Sequence, residues 1–149
     1  MATLQTSGTC SVILLNSFLR GEISAVESYR KALGVLTNSS HAAQLAECKK
    51  SHEERIAILT EQVRKLGGNP ADSSGVWGTF AKLVESGATA LGEKGAIAAL
   101  QQGEEHGSKD YQADVLRLTG EARAVVETRV LPLQYRTHAV ISALKKTLS

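Results

Sequence analysis

The sequence predicts an all-α protein of four long helices, with one shorter crossover helix between the second and third. Three observations carry this expectation. Apolar residues recur in alternating fours and threes, as in Val12, Leu15, Leu19, Val26, Tyr29, Leu33 and Leu36. No stretch of useful length alternates with the period of a strand. Two prolines and an aromatic content of 4% suit aliphatic helix packing better than a sandwich or barrel. A chain of 149 residues is expected to form one domain, 1–149, with about 1–10 as a flexible N-terminus.

The first helix is expected from about Ser11 to Leu36, ending in the turn Thr37-Asn38-Ser39-Ser40, where Ser39 or Ser40 caps the next. The second helix carries Leu45, Cys48 or Lys49, His52, Ile56, Leu59, Val63 and Leu66 on one stripe. It stops at Gly67-Gly68, just before Pro70. The short connection makes these two helices an antiparallel hairpin. Val76 to Leu91 reads as the crossover helix, with Ser73 or Ser74 as its cap and Gly92 as its end. Glu93 to Leu118 is the third long helix and about Glu121 to Leu148 the fourth. Pro132 falls inside the fourth, where a kink is expected.

Bulk properties exclude several partners. A net charge of +2, with no dense basic run, gives no footprint for nucleic acid. No segment is apolar and long enough to span a bilayer, and the start lacks the features of a signal peptide, so the cytoplasm is the expected compartment. Cys10 and Cys48 form neither a disulfide framework nor a zinc-finger spacing and are expected to be reduced thiols. Phosphate-loop, dinucleotide-binding and zinc-protease motifs do not occur.

One residue breaks the first apolar stripe: Glu22 stands among seven core-type positions. The pattern returns later, with Gly21-Glu22 and Tyr29 matched by Gly103-Glu104 and Tyr111. Each copy is followed by a histidine, His52 and His138. A carboxylate is rarely buried without a partner. Glu22, His52, Glu104 and His138 can meet at one level of the bundle, one from each long helix. Thr137 competes with His138 for the inward position, and Gln134, one turn earlier, is its alternative. Carboxylate and imidazole donors together suit iron, manganese or zinc. The metal-free alternative is a hydrogen-bonded layer in which Lys49, His52 and the tyrosine hydroxyls neutralise the two glutamates and fix helix register.

Gly-Glu followed seven residues later by Tyr resembles the first and third helices of rubrerythrin and other ferritin-like proteins. The wider pattern is similar to an uncharacterised bacterial family of ferritin-like four-helix bundles. Its carriers are Gly21-Glu22 to Tyr29, Leu66-Gly67-Gly68, Ser73-Ser74-Gly75-Val76-Trp77-Gly78, Gly103-Glu104-Glu105-His106-Gly107 and Leu131-Pro132-Leu133-Gln134. The resemblance implies a ferritin-like antiparallel four-helix bundle, a metal site with oxidase- or peroxidase-like chemistry, and a homodimer. In the full motif the residue three before each histidine is a bridging glutamate. Here those positions hold Lys49 and Tyr135, so the di-metal site is degenerate and supports a single iron, manganese or zinc ion at most. The expected role is accordingly a non-catalytic structural or interaction protein, with metal binding at Glu22, His52, Glu104 and His138 as the alternative.

Overall fold

The computed structural model describes the backbone of residues 2–148 and the side chains of residues 8–148; Met1 and Ser149 lie outside the described residues. Among those residues the chain is helical and contains no strand. The helices are α1 (Ala2–Leu33), α2 (Ser39–Lys65), α3 (Thr79–Asp114), α4 (Gly120–Val125) and α5 (Leu131–Leu148). A π turn over Val126–Val130 joins α4 to α5, so the two form one fourth rod. α1 begins at Ala2, well ahead of the expected Ser11, and ends at Leu33 rather than Leu36.

Local chemistry accounts for the helix ends. The cap of α2 is Asn38, not Ser39 or Ser40: its side-chain oxygen accepts the His41 N–H at 3.0 Å. At the other end Gly67 takes φ 77°, and the Gly68 N–H closes back onto the Val63 carbonyl at 3.0 Å. Ser74 does not cap with its side chain; its carbonyl accepts the Trp77 N–H and opens a 3-10 turn, Gly75–Gly78. Pro132 has no N–H to donate to the Thr128 carbonyl. The irregularity it causes is the π turn just before it, where the Leu131 N–H reaches back to Val126.

The expected division at Gly92 is present inside α3. Gly92 has φ 62° and ψ −139°, which no helix tolerates. The chain folds back there so tightly that a Cβ on Gly95 would overlap the Gly87 carbonyl. The helical segment before Gly92 is therefore distinct in direction from the one after it. The connection from α2 lies along α1: the Ala71 N–H meets Asn16, the Trp77 carbonyl meets Ser24, and Glu85 meets Lys31. Chain positions thus rise together on both partners, from Asn16 to Lys31.

The interior holds two apolar clusters. One contains Leu15, Leu19, Leu59, Val63, Tyr111 and Val126; the other contains Tyr29, Ala32, Leu45, Ile97, Leu100 and Ile141. Along α1 and the fourth rod the first cluster precedes the second, and along α2 and the part of α3 after Gly92 the order is reversed. Between the clusters, in every rod, stand buried polar residues: Glu22, His52 with Arg55, Glu104, and Gln134 with Thr137. This layer is the part of the molecule with chemistry to explain.

Candidate functional site

Glu22, His52 and Glu104 come together as the stripes predict, because each occupies an inward turn of its helix. The His52 ring lies between the two carboxylates. Its Nδ1 is 2.6 Å from Glu22 Oε1, and its Nε2 is 2.8 Å from Glu104 Oε2. Each glutamate also accepts a tyrosine hydroxyl from the opposite helix. Tyr29 of α1 donates to Glu104 at 2.6 Å, and Tyr111 of α3 donates to Glu22 at 2.9 Å.

From the fourth rod the inward residues are Gln134 and Thr137. His138 is half-buried, and no hydrogen bond links it to the layer. Helix geometry decides this. Gln134, Thr137, Ile141 and Leu144 share one buried face, and the next position along turns aside. The Thr137 hydroxyl donates to Glu104 Oε1 at 2.9 Å. The Gln134 amide donates to the Glu104 carbonyl at 3.0 Å and to Ser108 at 3.1 Å.

The residue that stripe reading missed is Arg55, which is wholly buried. Its Nη1 donates to Gln134 Oε1 and lies 3.4 Å from Glu22 Oε2. Its Nη2 donates to Thr137 Oγ1 at 2.7 Å, Ser51 Oγ at 3.1 Å and the Leu133 carbonyl at 3.2 Å. Only Nε is left without a partner. Lys49, expected to neutralise the glutamates, instead turns to the flank and pairs with Glu53 at 3.6 Å. Tyr135, the other position of the degenerate motif, is exposed. The signal for Arg55 was the stripe Leu45, Cys48, His52, Arg55, Leu59 and Gln62, which runs beside the one read through Ile56.

Electrostatics makes the layer self-consistent. Burial opposes the charged form of Glu22, but Arg55 and His52 outweigh it and hold the carboxyl below its ordinary range. Burial likewise opposes ionisation of Glu104, yet His52, Arg55 and Tyr29 hold it at about 2. For His52 burial works against protonation, and the two glutamates reverse that, raising its pKa. Two carboxylates therefore face an imidazolium and a guanidinium, and the buried charges sum to zero. Tyr29 and Tyr111 are pushed up by burial and by the glutamates they bind, so both stay neutral donors. The neighbouring Cys48 thiol is pushed to about 12, chiefly by burial, and is unreactive as a nucleophile.

This donor set does not fit a metal ion. A ligating imidazole must present a lone pair, whereas both nitrogens of His52 are held by carboxylate oxygens that favour protons on each. The Arg55 guanidinium brings a fixed positive charge against Glu22. Among the described residues no group of three or more His, Cys, Asp or Glu side chains is arranged to hold a metal.

A cavity of about 60 Å³ reaches this layer between α1 and α3. Glu22, His52 and Glu104 line its inner part, Gly21, Gly103 and Gly107 its walls, and Trp77 and Phe80 its side toward the crossover. Ser24 fixes that side by donating to the Trp77 carbonyl at 2.6 Å. His106 packs between the two aromatic rings, its ring centre 4.6 Å from that of Trp77 and 5.2 Å from that of Phe80. Elsewhere His41 meets Glu93 at 2.7 Å, and Glu105 accepts from Gln101 at 2.6 Å. Neither pair touches the layer. No helix among the described residues is long and apolar enough to cross a membrane.

Residues 11–117 match the family described as Domain of unknown function (DUF2383), and the chain belongs to that family. No curated protein and no solved structure matches the chain. The matched span contains Glu22, His52, Arg55 and Glu104 and stops before Gln134 and Thr137.

Proposed function

We propose that this chain is a metal-independent, ferritin-like bundle protein with a structural or interaction role, in which a buried ion network stands where ferritin-like relatives place a metal centre. The observation that carries it is His52 bridging Glu22 and Glu104 while Arg55 supplies the second positive charge. Two cationic side chains then do electrostatically what a bound cation would do, joining carboxylates from different helices. The ferritin-like assignment is supported by the order in which the helices traverse the two apolar clusters. That order has α1 and the fourth rod running one way and α2 and α3 the other. One long connection, between α2 and α3, then crosses the bundle, as in ferritin-like folds.

A network of this kind specifies register more than it adds stability. Burying the four charges costs several kcal/mol each, which their mutual attraction offsets only when every partner is in place. Sliding one helix by a turn would separate a glutamate from His52 and leave it uncompensated. The role is therefore expected to lie on the surface of a bundle held in one register, in the cytoplasm and as a homodimer of bundles.

Elemental analysis of protein purified without chelators or a metal-binding tag tests the metal-independent function. The expected result is iron, manganese and zinc far below one equivalent, with a Tm unchanged by EDTA. A stoichiometric ion that disappears in a Glu22→Ala/Glu104→Ala variant would overturn it.

A further inference from the structure

The cavity against the polar layer has features that holding the bundle together does not require. Its lining carries three carboxylates, Glu22, Glu104 and Asp110, and neither lysine nor arginine. The two carboxylates of the layer are unequally used. Glu104 accepts four side-chain bonds between 2.6 and 3.3 Å. Glu22 accepts only two short ones, from His52 and Tyr111, and Arg55 stands back at 3.4 Å. Glu22 thus keeps acceptor capacity on the side where the wall is bare, since a Cβ on the adjoining Gly21 would meet nothing within 4 Å. Across from it, Trp77 and Phe80 present aromatic surface. His106 Nε2, in the same lining, is buried without a hydrogen-bond partner; it lies 3.3 Å from Asp110 but out of line with it.

We propose that this cavity binds a small organic ammonium ion, of methylammonium or ethylammonium size, with its N–H groups on Glu22 and its alkyl end against Trp77 and Phe80. A volume of about 60 Å³ accommodates roughly four to six water-sized groups and excludes anything larger. Net negative lining favours a cation over an anion or a neutral molecule. Aromatic faces favour an organic cation over a hydrated inorganic one, because they stabilise positive charge without replacing its lost water. The site is separate from the metal-independent role: that role stands if the cavity binds nothing, and the cavity can bind an amine whether or not the bundle has a surface partner.

Trp77 is the only tryptophan of the chain and belongs to the cavity wall, so its emission reports occupancy directly. The full chain is titrated with methylammonium and ethylammonium chloride, against sodium chloride at equal ionic strength and against ethanol as a neutral molecule of similar shape. A saturable change with the ammonium ions alone is expected. Gly21→Leu fills the cavity and is expected to abolish that change. Phe80→Leu removes one aromatic face and is expected to weaken binding about two- to fivefold. No saturable change, an equal response to sodium or ethanol, or unaltered binding in Gly21→Leu would overturn the proposal. If circular dichroism shows Gly21→Leu to be unfolded, Phe80→Leu decides, and unaltered binding in that variant overturns it.

Discussion

Tyr29 and Tyr111 are bound crosswise: the hydroxyl of each rests on the glutamate of the other's helix, Glu104 and Glu22 respectively. The relation is the three-dimensional form of the repeated Gly-Glu and Tyr spacing in α1 and α3. Both hydroxyls are donors to a buried carboxylate, and such bonds contribute about 1.5–3 kcal/mol. Tyr29→Phe and Tyr111→Phe are each expected to lower unfolding free energy by about that amount. Urea unfolding of the two variants checks it, and the two losses should be of similar size.

Arg55 is the hinge of the charge balance. Truncation to alanine leaves Glu22 with one cation fewer and strips Gln134 and Thr137 of their partner. The expected cost is about 3–5 kcal/mol, the range for breaking a buried ion pair from one side. Denaturant unfolding measures it. Lys49→Ala serves as the contrast, because Lys49 pairs only on the flank, and is expected to change stability by less than about 1 kcal/mol.

Stability should depend on pH through the same layer. His52 titrates above its ordinary value in the folded state. Its contribution is therefore fully present below about 6.5, the usual value of an unfolded histidine, and is lost as pH rises through the folded one. Glu104 behaves in the opposite sense. Held at about 2 against an ordinary 4.5, it contributes roughly 3 kcal/mol above that ordinary value, lost as pH falls toward 2. A Tm profile across pH should fall on both sides, and His52→Gln should flatten the alkaline fall while leaving an acid one.

The reversal at Gly92 depends on a backbone approach that only glycine permits. Gly95→Ala is expected to destabilise the protein by at least about 1–3 kcal/mol, since the added Cβ overlaps the Gly87 carbonyl and the backbone must move. Gly21→Ala is the control with open space, and thermal unfolding should separate the two.

Much of this architecture was legible because it is written in periodicity. Stripes through Glu22 and Glu104 placed both carboxylates, and Gly92 marked the break inside α3. His52 followed from the same counting. Arg55 did not, because two stripes of α2 run through neighbouring positions and the one with the arginine is less apolar than the one with Ile56. The fourth rod was ambiguous between Thr137 and His138 for a related reason: the π turn before Pro132 changes the angular register by part of a turn, which spacing alone does not reveal. Helix starts were the least legible, as Asn38 and Ser39 are both good caps and only backbone geometry chooses between them.

The most direct test of the layer is the ring ¹⁵N spectrum of His52 at neutral pH, assigned against His52→Gln. An imidazolium clamped by Glu22 and Glu104 predicts two protonated nitrogens, unchanged when an equivalent of zinc, manganese or ferrous iron is added. A nitrogen without its proton that shifts or broadens with one equivalent of metal would contradict the account.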